Sequence, residues 1–147
     1  MQIENRIVVN APIQKTWNFL LDPKKIGGCV PGVENVEVVD DTHFVVQIQV
    51  KVGFIKARFK VNLAIIDKNP PHYLKSQGAG DEAGMTSSLK QVNEVSLKEL
   101  GSNQTEIHLK TDVNIFGKLG TFGHSVIKGK ADKMWEEFAA NLKKAIE

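Results

Sequence analysis

The chain has 147 residues, 41% of them hydrophobic and 24% charged, with a net charge of +2. That length and composition fit a single soluble domain over residues 1–147, large enough to bury a core without metal or disulfide support. The small charge excludes a nucleic-acid grip, because the lysines (Lys51, Lys56, Lys60, Lys90, Lys98, Lys110) are spread along expected strand faces rather than clustered. The lone Cys29 excludes an intrachain disulfide framework and fits a reducing, cytoplasmic setting. The opening MQIENRIVVN has neither the apolar segment nor the cleavage site of a secretory signal. No apolar run approaches the ~18–20 residues that span a bilayer.

Ile3, Asn5, Ile7 and Val9 make one face of a first strand. Pro12 suits the first turn of a helix whose apolar stripe is Trp17, Leu20 and Leu21. Asp22-Pro23 ends that helix or opens a second short one. The segment IGGCVPGV, from Ile26 to Val33, is rich in glycine and proline and free of charge, so it should pack against something. Val33 to Val39 reads as the second strand, turning at Asp40-Asp41.

The strongest signal follows. Phe44, Val46, Ile48, Val50 and Val52 alternate with mostly polar residues, and after Gly53 the pattern resumes with Ile55, Ala57, Phe59, Val61, Leu63 and Ile65. Period two predicts antiparallel strands over His43 to Val52 and Ile55 to Asp67, one face wet and one buried. Both exceed the usual ~5–6 residues, so the sheet should curl.

Asn69-Pro70-Pro71 breaks the chain before a fifth strand from Tyr73 to Gly78. Gly78, Gly80 and Gly84 surround a polar turn. A sixth strand runs from Thr86 to Leu100, turns through Gly101-Ser102-Asn103, and is followed by a seventh from Gln104 to Phe116. Ile107, Leu109, Thr111, Val113 and Ile115 share one face of it. The period then changes. Leu119, Phe122, Val126, Lys130, Met134, Phe138, Leu142 and Ala145 step by three or four, and Ile127, Ala131, Trp135 and Ile146 widen the stripe. This predicts a long amphipathic helix, with the Lys130 stem packed and its amine in water. The expected fold is therefore α+β: a curved seven-stranded antiparallel sheet wrapped around the C-terminal helix, with two short helices between strands one and two.

The segments PIQKTWNFLLDPKKIGGCVPGVENVE, VKVGFIKARFKV, GAGDEAG and VNIFGKLGTFGHSVI, in this order and spacing, resemble the G-subunit family of carbon monoxide dehydrogenase. The element order is similar to the helix-grip fold of the START-related (SRPBCC) superfamily. The most specific residues are Trp17 and Leu20, Asp22-Pro23, Cys29-Val30-Pro31-Gly32-Val33 and Gly117-Lys118-Leu119. The resemblance implies a non-enzymatic binding protein that encloses an apolar small molecule (lipid, isoprenoid or quinone-like) between sheet and last helix. It also implies service to a molybdenum hydroxylase of the carbon monoxide dehydrogenase type. Some members carry a longer C-terminal tail thought to attach to the membrane. This sequence departs from that pattern by ending at Glu147, which leaves peripheral membrane contact as the expectation.

By strand phase, the cavity would be lined by Val46, Ile48 and Val50, by Ala57, Phe59, Val61 and Leu63, and by Gln91 and Asn93. The seventh strand adds Leu109, Thr111, Val113 and Phe116, and the last helix adds Gly120, Phe122, Gly123, Val126 and Ile127. Ile26, Gly28, Cys29, Val30 and Pro31 would form its mouth, or else a rigid turn that docks the short helices. Gly120, Gly123 and Gly129 inside a helix each cost ~0.5–1 kcal/mol relative to alanine. Space for a ligand, close approach to a strand, or a frayed helix start would each offset that. Gln91 and Asn93 either point inward, where they would orient a polar group of the ligand, or sit on a bulge at the wet edge.

Catalytic patterns are weak, and no metal or cofactor is expected. His43, His72, His108 and His124 lack ligand spacing. Cys29 has no histidine near it in sequence and reads as structural. Asp81-Glu82 reads as a solvated turn, and GAGDEAG does not open a helix as a dinucleotide loop must. Two alternatives remain: a cyclase- or hydrolase-like enzyme using the same cavity, and a protein–protein adaptor with a filled core.

Overall fold

The computed structural model describes residues 1–147. Strand β1 (Gln2–Val9) leads into helices α1 (Ile13–Leu20) and α2 (Pro23–Gly27). Then come β2 (Val33–Val38), β3 (His43–Val52), β4 (Ile55–Asn69), β5 (Tyr73–Glu82), β6 (Ser87–Gly101) and β7 (Gln104–Gly117). A 3-10 turn at Leu119–Phe122 precedes α3 (His124–Ile146). The seven strands form one antiparallel sheet in the order β1-β7-β6-β5-β4-β3-β2, so hairpins build everything except the β1–β7 closure.

Local chemistry sets the boundaries. The Asp22 carboxylate accepts from the backbone N–H of Lys24 and Lys25, at 3.1 and 3.2 Å, and Pro23 occupies the first turn of α2. At the β2–β3 turn, Asp40 accepts from the Thr42 backbone and hydroxyl and lies 2.9 Å from His43 Nδ1. The Thr42 amide, then His43, hold the Asp40 carboxyl down at about 2, against an ordinary 3.8. The folded chain binds that proton less tightly than the unfolded one. Its stabilising contribution is therefore complete above pH 3.8 and fades as the pH falls toward 2. Asp40→Asn is expected to flatten the pH dependence of the urea midpoint in that window. An unchanged slope would show that the turn does not hold the carboxylate.

Two expectations need correction. Gly78 and Gly80 lie within β5, not in a turn. A Cβ at Gly78 would come 2.6 Å from Leu63 Cδ2, and one at Gly80 would come 2.6 Å from the Lys60 carbonyl. Glycine there permits close strand approach. Gly120 and Gly123 lie before α3, not inside it. Gly123 has φ +86°, which stops the helical stripe from running back into the 3-10 turn, and a Cβ at Gly120 would meet the Ile115 carbonyl at 2.6 Å. Only Gly129 is in the helix, on its exposed side with nothing within 4 Å, so a ligand is not what compensates for it.

Candidate functional site

Only 23 of the 147 residues are buried, and the apolar ones among them form two separate clusters, of ten and five residues, with Phe44 in neither. The larger joins Ile7, Val9, Leu74, Leu97 and Ile107 of the sheet to Leu142 and Ile146 of α3, with Trp17 and Cys29 beside them. The smaller, at the opposite end, joins Val52, Ala57, Phe59 and Val61 to Leu119, with Phe122 and Ile127 against it. Between them, Val46, Leu109 and Val113 on the sheet and Ala131 and Met134 on α3 are half-buried and pack against neither cluster. A close-packed interior would leave such side chains dry. No buried apolar cluster therefore joins sheet to helix over their middle, and this stretch between the two clusters is the candidate hollow.

The floor of this hollow is polar at its centre. Ser76, Asn93 and Thr111 are cross-strand neighbours on β5, β6 and β7. The Thr111 hydroxyl donates to Asn93 Oδ1 at 2.9 Å, and Asn93 Nδ2 donates to Ser76 Oγ at 3.3 Å. One pair along, Gln91 lies between Gly78 and Val113. A Cβ at Gly78 would sit 3.2 Å from Gln91 Cγ and Nε2, so this glycine leaves room for the amide. No buried side-chain nitrogen or oxygen lacks a partner. The Gln91 amide, which makes no hydrogen bond within the protein, is thus open to solvent and free to bind a polar group. Asn5, half-buried on the same face, adds a second amide. β6 has no register shift at these positions, so both of its amides point inward.

The expected lining residues divide. Val46, Leu109, Val113, Gln91, Asn93 and Thr111 surround the middle. Ala57, Phe59 and Val61 are buried in the end plug, with Ile48, Val50, Leu63, Phe122 and Ile127 against it. Phe116 and Val126 are outside, 51% and 45% exposed. Val113 and Ile115 take the inner phase of β7, which turns Phe116 outward. Ile26 packs against the larger cluster and Cys29 lies within it. Val30 and Pro31 are half-buried and Gly28 is exposed. The Asn141 amide donates to the Cys29 carbonyl at 3.1 Å, so this segment has the contacts of a docking turn. Ser76 and Gly78 were not anticipated, because small residues leave no apolar alternation to read.

The ionisable groups with shifted affinities lie away from the hollow. Burial raises the Cys29 thiol, which disfavours the nucleophilic thiolate. On the outer face of β1 and β7, Glu4 lies 2.6 Å from His108 Nε2, and that hydrogen bond lowers its carboxyl. Burial, then Glu94, raises the Tyr73 phenol, whose hydroxyl donates to Glu94 at 2.9 Å. The one buried carboxylate is Glu82, which accepts from the Thr86 hydroxyl and pairs across strands with Phe59 in the plug. The expected solvated turn at Asp81-Glu82 is therefore half wrong. Asp81 is exposed, whereas β5 continues far enough to turn Glu82 inward. The middle of the hollow offers amides and hydroxyls, groups that orient a polar function rather than transfer a proton.

A curved antiparallel sheet gripping a C-terminal helix across such a space defines a START-like, helix-grip protein. No curated protein sequence matches the chain. The sequence profile of the carbon monoxide dehydrogenase G-subunit (CoxG) family matches residues 6–147, and the chain belongs to that family. Among solved structures it is similar to a conserved protein from Geobacillus kaustophilus, with TM-score 0.90 and 17% identity, covering 99% of this chain and 95% of that one. It is also similar to a START superfamily protein from Mycobacterium smegmatis (TM-score 0.75, 14% identity, 99% and 96% covered). A third is the Zhui aromatase/cyclase from Streptomyces sp. R1128 (TM-score 0.72, 16% identity, 99% and 93% covered). No helix is long and apolar enough to cross a membrane.

Proposed function

We propose that the protein is a non-enzymatic carrier that holds an apolar small molecule, of lipid, isoprenoid or quinone type, between the sheet and α3. The observation that carries this reading is the divided core, with half-buried apolar side chains between its two parts. Burial of a guest there contributes roughly 25 cal/mol per Å² of apolar surface removed from water. The open Gln91 amide and the Ser76–Asn93–Thr111 chain would fix a carbonyl, quinone oxygen or head group. Family membership supports a cytoplasmic accessory role beside a molybdenum hydroxylase of the carbon monoxide dehydrogenase type.

Native mass spectrometry of the purified protein, followed by organic extraction, tests the carrier reading. A stoichiometric apolar compound is expected. Protein at its bare mass that also takes up no added quinone or neutral apolar dye would exclude a carrier.

The second reading is an enzyme, favoured by the inward Glu82 and by the cyclase among the similar folds. It requires Glu82 to reach a substrate, whereas its partners are Thr86 and the plug.

A further inference from the structure

β1 forms one border of the sheet, and no strand pairs with its outer edge. Its ladder to β7 starts where Met1 and Val113 exchange both N–H···O bonds, at 3.0 and 2.9 Å. Antiparallel bonding alternates along a strand. Ile3, Asn5, Ile7 and Val9 therefore bond to β7, whereas Gln2, Glu4, Arg6 and Val8 aim their backbone N–H and C=O groups away from the sheet. Asn10 continues that series, and its N–H points to Glu147 rather than to β7. None of the hydrogen bonds outside the regular ladders takes the backbone groups of Gln2, Glu4, Arg6 or Val8.

The two borders of the sheet differ. β2, at the far border, has six residues, an irregularity between Val33 and Asn35, and two glutamates, Glu34 and Glu37. Shortness, a bulge and charge of one sign keep an edge from pairing. β1 has eight residues and no register shift, no proline and no lysine.

β1 is also complementary to itself. About Asn5 it reads Ile3-Glu4-Asn5-Arg6-Ile7. With a second copy laid antiparallel and Asn5 on the two-fold axis, Glu4 faces Arg6 of the copy and Gln2 faces its Val8. On the inner face Ile3 faces Ile7 of the copy. This register opposes the residues whose backbone groups point outward, so hydrogen bonds and opposite charges are satisfied together. A slip by two residues would set Glu4 against Glu4 or Arg6 against Arg6. The two side chains are open to a partner, Glu4 being 53% and Arg6 62% exposed.

We propose that the chain pairs with a second copy of itself through β1, joining the two sheets into one across a two-fold axis. Each Glu4, which lies 3.7 Å from its own Arg6, gains a second guanidinium from the copy.

The test is analytical ultracentrifugation of the full chain and of two charge variants. The parent is expected to sediment at twice the chain mass at tens of micromolar. Glu4→Arg opposes arginine to arginine at both pairs, and Arg6→Glu opposes glutamate to glutamate. Each alone should raise the dissociation constant at least about tenfold while keeping the parent's far-UV circular dichroism. An equimolar mixture of the two variants should dimerise again, because arginines then face glutamates. Asn5→Cys should cross-link on mild oxidation and Ile3→Cys should not, since only Asn5 meets its own counterpart. A monomeric parent, as for an edge kept for another protein's strand, would overturn the proposal. So would charge variants that stay dimeric, a mixture that stays monomeric, or cross-linking of Ile3→Cys in place of Asn5→Cys.

Discussion

Phe59→Asp is expected to leave no cooperatively folded protein at room temperature. Phe59 is 3% exposed at the centre of the end plug, between Ile48 on β3 and Glu82 on β5. Losing a buried phenyl ring costs ~3–5 kcal/mol. The new carboxyl must then stay protonated or ionise in an apolar site, directly opposite another carboxylate. Together these terms reach the ~5–15 kcal/mol that typically holds a domain together. Near-UV circular dichroism should be flat and thermal unfolding without a transition. Phe59→Leu should cost under ~1.5 kcal/mol. Asn114→Asp, exposed on the outer face of β7 and opposite Lys90, should stay within about 0.5 kcal/mol of the parent. A Phe59→Asp protein that melts like its parent would place Phe59 on the solvent side and reverse the phase of the whole sheet.

Val113→Trp is expected to abolish guest uptake while leaving the fold intact. Val113 sits on the inner face of β7 beside Gln91 and packs against neither cluster. In a dense core an indole there would force strain worth ~1–3 kcal/mol. In the hollow it finds space and gains apolar contact, so the urea midpoint should hold or rise. N-phenyl-1-naphthylamine fluorescence on titration should fall to the level of buffer. A variant that unfolds at lower urea would show that the space is filled by the protein's own side chains. One that stays stable and still takes up the dye would place the guest elsewhere.

The alternating strands were the most legible part of the chain. β3 has the bounds read from its apolar period, because every inward position from Phe44 to Val52 is apolar. β5 was cut short for the converse reason. Its inner face from Ser76 to Gly80 carries only small residues, which sequence alone cannot distinguish from a turn. With the strand truncated, Ser76, Gly78 and the inward Glu82 dropped out of the candidate site. The start of α3 was misread by the same logic in reverse. Leu119, Phe122 and Val126 keep a helical spacing, but a 3-10 turn followed by positive φ at Gly123 separates them from the helix, and Val126 faces outward. The division of the core was not legible, since it depends on how far the sheet stands from the helix, a distance that no local pattern encodes.

That division has a kinetic consequence. The larger cluster also ties down the C-terminal end of α3: Ile146 lies within it, and Glu147 accepts from the Asn10 N–H at 2.7 Å. The smaller has five buried residues against ten, from the β3–β4 hairpin and the 3-10 turn, with Leu89 of β6, Ile115 of β7 and Ile127 of α3 packed against them. Local opening free energies follow such differences in buried contact, so the smaller unit loosens while the larger stays formed. The exchange rate of whatever occupies the interior is then set by a partial opening, and can be fast in a protein whose global unfolding is slow.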